Sequence, residues 1–293
     1  MKRAEQQNQY DAATAIATFE EAARLNAEDP YRDGCILRLP AYGQAVMTGD
    51  LHGHRKNFEK LQKYAMLDRV RARHVVLHEI IHAEPASIGE PDHSHEVMLA
   101  AAKYKCDFPE QVHFMQSNHE LSQLTGYLIA KNGRGVIQAF NEAIALAYGK
   151  PQAGRVLEAI NSFIASFPVA IRTENRIWMS HSLPNVHNMD EFDLSVFQRP
   201  LSREELARNR TVFHLVWGRR HTQAHIDALA DALDVDVFIN GHQPQDTGFA
   251  LVFNRLIILA SDHNHGTFLP FDLSKQRSAE EMIDAVRKFV AVA

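Results

Sequence analysis

A chain of 293 residues, 45% hydrophobic and 23% charged, has the composition of a folded globular protein, long enough for one large α/β domain or two small ones. A net charge of −5 speaks against a surface built for nucleic acid, and two cysteines without a Cys-x-x-Cys spacing exclude a disulfide framework. No apolar run reaches membrane-spanning length and residues 1–7 lack the apolar core of a secretion signal, so the expected setting is the cytoplasm, with neither nucleic acid nor membrane as partner.

In chain order, Asp11 to Asn26 is alanine-rich with Ile16, Phe19 and Ala23 at helical spacing, which predicts an amphipathic helix on the edge of the domain, stopped by Asp29-Pro30. Cys35–Leu39 and Gly43–Thr48 read as short strands, the second running into Gly49-Asp50-Leu51-His52-Gly53-His54. A helix is expected from Asn57 to Leu67, a strand over His74–Leu77, a loop from Ala83 to Ser94, a helix from Glu96 to Lys105 and a strand over 111–116 ahead of Ser117-Asn118-His119-Glu120. Strand, motif and helix thus alternate three times, the pattern of βαβ units with ligands at the carboxyl ends of strands.

Residues 121–167 hold helical patterns broken at Gly133, Gly135, Gly149 and Pro151, and are expected to cover one side of the site. A hairpin over 169–179 ends in Ser180-His181-Ser182, Ser202 and Glu205 form a capping box, a helix covers Ala224–Leu233, and a strand over Val235–Asn240 ends in Gly241-His242-Gln243. Three antiparallel strands, 248–253, 256–260 and 267–271, precede a closing helix capped by Ser278 and Glu281. The expected fold is α/β: two mixed β-sheets packed as a central sandwich flanked by helices, in one domain over 1–293. Residues 1–30 are its helical extension and 121–167 its helical cover.

Asp50 and His52 stand two apart after a strand, so their side chains share a side. Taken alone, Asp-x-His fits a capped loop as well as a metal site. Five strand ends, however, each deliver nitrogen or oxygen donors: Asp50 and His52, Glu79, Asn118 and His119, His181, and His242. Without a thiolate, that set suits two divalent ions such as Mn, Fe, Zn or Ni. Arg219 and Arg220, after Trp217, are candidates for gripping a phosphate, and Trp217 for core or pocket wall. His54, His93, His95 and His221 are expected to be solvated loop residues, with His263 and His265 near the pocket rim.

The runs Gly49-Asp50-Leu51-His52-Gly53, Ser117-Asn118-His119-Glu120, Ser180-His181-Ser182-Leu183-Pro184 and Gly241-His242-Gln243 resemble the metal-binding signatures of the calcineurin-like metallophosphoesterase superfamily, most of all its PPP-type phosphatases. The resemblance runs from about residue 44 to 272. It implies a phosphatase hydrolysing a phosphomonoester, with protein serine or threonine a candidate carrier, by a hydroxide bridging two metals. Asp50 and His52 would bind the first ion; Asn118, which also faces substrate, would bind the second with His181 and His242. His119 would be the proton donor. Phosphodiester or dinucleoside polyphosphate cleavage is the neighbouring reading, and a metal- or phosphate-binding protein without catalysis the alternative from another class.

The second signature departs from the family. Where a Gly-Asp-x-x-Asp-Arg-Gly run stands in the superfamily, this chain has His78-Glu79-Ile80-Ile81-His82-Ala83-Glu84. Glu79 keeps the bridging carboxylate one methylene longer, His82 replaces the aspartate that orients the catalytic histidine, and Ala83 replaces a phosphate-gripping arginine. The same run spells His-Glu-x-x-His, but a β-like run before it and Pro85 after it leave no room for the helix that a zinc protease needs.

Overall fold

The strands of this chain are apolar on both faces, and period-two alternation sends the two faces to different layers. The computed structural model describes residues 11–84, 90–131 and 133–292. Ala45, Met47, Val76, Ile171, Met179, Ile239 and Ile257 meet in one buried cluster between two sheets. Their neighbours Val46, Val75 and Leu77 turn outward to one helical layer, and Ala170, Trp178, Phe238 and Ile258 to the other. The result is a sandwich of two mixed sheets between helices, as expected.

One sheet orders its five strands as Arg287–Lys288, Thr267–Asp272, Gln44–Thr48, Arg73–Leu77 and Val112–Phe114. The last three are parallel, with Met47 opposite Val76 and Leu77 opposite Phe114. The other orders seven strands as Arg32–Asp33, Ile36–Leu39, Ala170–Thr173, Ile177–Ser180, Val237–Asn240, Leu256–Leu259 and Phe249–Val252. Ile177–Ser180 and Val237–Asn240 are parallel there. Five carboxyl strand ends, at Thr48, Leu77, Phe114, Ser180 and Asn240, therefore open toward one region. A parallel bridge from Asp50 to Ala260 joins the two sheets at that end, and Gly49 is required there because a Cβ would lie 2.1 Å from the Leu259 carbonyl oxygen.

The amino-terminal helix, Ala12–Ala27, starts at Asp11, whose carboxylate accepts from the Thr14 N–H at 2.7 Å. It packs on Ser94–Asp107 and Lys150–Ala165, burying Ala15, Phe19 and Ala22, so it belongs to the outer layer. Burying Phe19 is worth roughly 2–3 kcal/mol. The cover consists of Asn118–Thr125, a short hairpin of Ala130–Lys131 with Arg134–Gly135, then Val136–Tyr148 and Lys150–Ala165. Pro151 does not break a helix; it sits in the first turn of the last one, where its missing N–H costs nothing.

Two local expectations change, and one helix was not foreseen. Leu256–Leu259 is antiparallel only to Phe249–Val252 and runs parallel to Val237–Asn240, because left-handed Phe253 and Asn254 fold the chain back into a hairpin. The closing helix is only Ala279–Ile283, and the chain returns to an edge strand at Arg287–Lys288. Arg210–Trp217, rich in Thr, Val, Phe and Trp, is a helix capped by Asn209; burial of Thr211, Val212, Leu215 and Val216 on one face overrides its β-leaning composition. Among the described residues no helix is long and apolar enough to cross a membrane. Residues 85–89 of the expected 83–94 loop lie outside the described residues.

Candidate metal centre

The five strand ends bring Asp50, His52, Glu79, Asn118, His119, His181 and His242 into one buried group. The Nε2 of His52 lies 3.0 Å from Glu79 Oε1, and that of His181 3.0 Å from Glu79 Oε2. Asn118 Oδ1 accepts from both His181 Nε2 at 2.6 Å and His242 Nδ1 at 3.0 Å. The Asp50 carboxylate receives the backbone N–H of His242, 2.9 Å from each oxygen, and its Oδ1 stands 3.7 Å from His181 Nδ1. His119 places Nε2 4.0 Å from Glu79 Oε1 and Nδ1 3.0 Å from Nδ1 of His82, whose Nε2 meets Gln123 Oε1 at 3.1 Å.

The backbone holding these groups is unusual. Among the described residues nine non-glycine positions have positive φ, and four are His52 (42°), Glu79 (47°), His82 (63°) and His242 (67°). Left-handed backbone costs a side-chain-bearing residue energy and tends to cluster where geometry serves function. It also rules out the helix a His-Glu-x-x-His protease site requires: His78 faces His181 and the Thr48 carbonyl, while His82 faces His119. Glu120, buried, accepts the N–H groups of Ile80 and Ile81 at 2.7 and 3.3 Å and so secures the Glu79 turn from beneath.

Burial and the neighbouring Glu79 push the Asp50 carboxyl up to about 7. Burial would raise Glu79 as well, but the imidazoles of His181, His119 and His52 hold it well below the carboxylate range. Burial opposes charge on His181, yet Glu79 and Asp50 lift it above its ordinary value. Burial drives His78 down to about 3, His82 to about 4 and His242 to about 2. The Glu79 Oε2 atom is buried and makes no hydrogen bond, although an imidazole nitrogen is 3.0 Å away. A buried carboxylate set among three imidazoles, with one oxygen unsatisfied, is what a divalent cation fits, and oxygen and nitrogen donors without thiolate match Mn, Fe, Zn or Ni. Two triads of donor atoms are close enough to share an ion, Asp50 with His78 and His181, and His52 with Glu79 and His119.

Of the other expected residues, Arg219 reaches the group, its Nε donating to His242 Nε2 at 3.0 Å. Arg220 is exposed, and its backbone N–H, like that of Arg219, donates to Asn185 Oδ1 at 2.8 Å. Trp217 is half-buried and stands edge-on to His242, 6.2 Å between centroids, at the wall of the site. Contrary to expectation His95 is buried, bonded through Nδ1 to the Asp92 carbonyl at 3.0 Å, and His221 is half-buried against His225. His263 bonds the Gln245 carbonyl at 3.0 Å. Sequence reasoning missed His78, Glu120 and Gln123. The signal for His78 was its place between a strand and Glu79, where a wholly buried imidazole must find polar partners.

No family model and no curated protein matches the chain. Solved structures do. A protein serine/threonine phosphatase from Saccharomyces cerevisiae, described as similar to human phosphatase PP5, superposes with a TM-score of 0.66 at 14% identity, over 89% of this chain and 82% of its own. A cold-active protein-tyrosine phosphatase from a psychrophilic Shewanella species gives a TM-score of 0.60 at 17% identity, over 90% of this chain and 84% of its own. The chain shares the fold of these phosphatases, two mixed sheets packed between helices.

Proposed function

We propose that this chain is a binuclear metal-dependent phosphoesterase acting on a phosphomonoester, with protein phosphoserine or phosphothreonine as the foremost substrate class. The observation that carries the reading is the convergence of Asp50, His52, Glu79, Asn118, His181 and His242 from five strand ends around a buried carboxylate oxygen with no hydrogen bond. Two fold neighbours, one named as a protein serine/threonine phosphatase and one as a protein-tyrosine phosphatase, support a phosphorylated protein as substrate.

Those six residues would hold the ions, and bound ions supply Lewis acidity that activates water and neutralises phosphate charge. His119 protonates the leaving oxygen. Its Nδ1 is turned to His82, so its Nε2 is the nitrogen left on the Glu79 side. His82 positions that ring, and Gln123 in turn holds His82. Arg219, beside His242, grips phosphate oxygens in place of the arginine absent at Ala83.

The test is hydrolysis of a simple aryl phosphate with added manganese. Asp50→Asn is expected to abolish the metal-stimulated rate while circular dichroism and Tm stay those of the parent. Undiminished turnover in that folded variant would overturn the site.

A further inference from the structure

His78 is wholly buried beside Asp50 and His181, and it is not one of the six residues assigned to the ions above. Its Nε2 lies 3.0 Å from the Thr48 carbonyl oxygen. A carbonyl can only accept, so Nε2 carries the proton and Nδ1 presents a lone pair. That lone pair faces His181 Nδ1 at 3.0 Å and Asp50 Oδ1 at 3.8 Å. His181 turns Nε2 to Asn118 Oδ1 at 2.6 Å and Nδ1 to the same point, 3.7 Å from Asp50 Oδ1, where an ion would take the place of the Nδ1 proton. Three atoms able to ligate thus converge on one point.

We propose that His78 is a metal ligand of this chain, so that Asp50 Oδ1, His78 Nδ1 and His181 Nδ1 form the face that holds one of the two ions. The inference deepens the two-metal reading and rests on it. Nitrogen and oxygen donors about 2.0–2.1 Å from a tetrahedral ion stand roughly 3.3–3.4 Å apart. The three observed separations, 3.0, 3.7 and 3.8 Å, bracket that spacing. The Thr48 carbonyl supplies the outer partner that ligating imidazoles use to settle tautomer and ring orientation. Packing shows the face is built: a Cβ on Gly241 would lie 2.1 Å from Asp50 Oδ1 and 2.5 Å from His78 Cε1, so a residue without a side chain leaves the room both donors occupy. The His242 N–H donates to both Asp50 oxygens and fixes the carboxylate in this orientation.

The test loads the full chain with cobalt(II) and compares it with His78→Gln, whose amide can keep the bond to Thr48 but offers no nitrogen at the Nδ1 position. X-ray absorption of the parent and the variant counts imidazoles around the cobalt, and equilibrium dialysis gives ions per chain and their Kd. The expected result is one ion bound roughly 100-fold more weakly in His78→Gln, with one fewer imidazole at that ion and an unchanged circular dichroism spectrum. An unchanged imidazole count overturns the inference, even where affinity falls, because it makes His78 a positioning residue only; in that case two ions in the parent leave the two-metal reading standing. One ion in the parent with the imidazole count still dropping in the variant sinks the two-metal reading and keeps His78 as ligand. A folded parent that binds no cobalt sinks both.

Discussion

Two clusters of buried histidine and carboxylate sit at opposite ends of the strand Arg73–Leu77, and they differ in whether their polar groups are satisfied. At the amino end, Asp29 Oδ2 takes Lys105 Nζ at 2.9 Å and His113 Nδ1 at 3.1 Å, and His113 Nε2 meets His74 Nδ1 at 2.9 Å. Lys105 also donates to the Pro109 carbonyl at 2.7 Å, and the Tyr31 N–H closes the other Asp29 oxygen at 3.0 Å. At the carboxyl end, Asp50, His78 and His181 crowd one point and Glu79 Oε2 is left without a hydrogen bond. A closed network orders a core, whereas an open one that survives burial marks a place where something else is meant to bind.

The largest expected effect probes the closed cluster. Lys105 and Asp29 side chains are 0% and 1% exposed, so Asp29→Ala strands a buried ammonium and is expected to cost about 3–5 kcal/mol in urea denaturation, while kcat per folded molecule is unchanged. A loss below 1 kcal/mol would mean the network is not closed. Glu79→Gln does the reverse. Metal-stimulated turnover should drop roughly a thousandfold, about 4 kcal/mol of barrier, while the variant stays folded. A Glu79→Gln protein that unfolds would show the carboxylate to be structural.

Next in size, His119→Ala should lower kcat by roughly 100-fold or more with metal content intact, since a lost proton donor leaves the ions in place; a matching loss of metal would make it a ligand. The smallest effect concerns pH. Burial, then the charge of His113, push His74 down to about 3 from an ordinary 6.5. The unfolded chain therefore takes up the proton first, so the contribution of His74 is intact above about pH 6.5 and is lost as pH falls toward 3, by up to ~1.4 kcal/mol per pH unit. His74→Gln should flatten that slope in denaturation curves taken across the window; identical slopes would remove His74 from the acid response.

What could be read from the chain, and what could not, follows the same division. Both sheets and four of the signature runs were legible because strand alternation and short Gly-bounded motifs are local features. Asp50, His52, Asn118, His181 and His242 each sit at the end of such a run, and the structure brings them together with Glu79 and His119. The closed cluster was invisible, because Asp29 read as a helix stop and Lys105 only as the last residue of a helix; only the packing of Ala12–Ala27 on Ser94–Asp107 makes them partners. His78 was passed over for a related reason. Its place next to Glu79 is local, but its partners Thr48 and His181 lie 30 and 103 residues away. Arg210–Trp217 was missed because its helix is stabilised by burial of one face rather than by propensity.

The central claim is that the open cluster takes up divalent cations that the closed one cannot. It is tested most directly by metal analysis of the chain after chelator stripping, reloading with manganese and removal of excess. Two ions per folded chain, falling in Asp50→Asn and unchanged in Asp29→Asn, is the expected result. A folded parent that retains no metal, or one whose metal leaves with Asp29 rather than with Asp50, would contradict it.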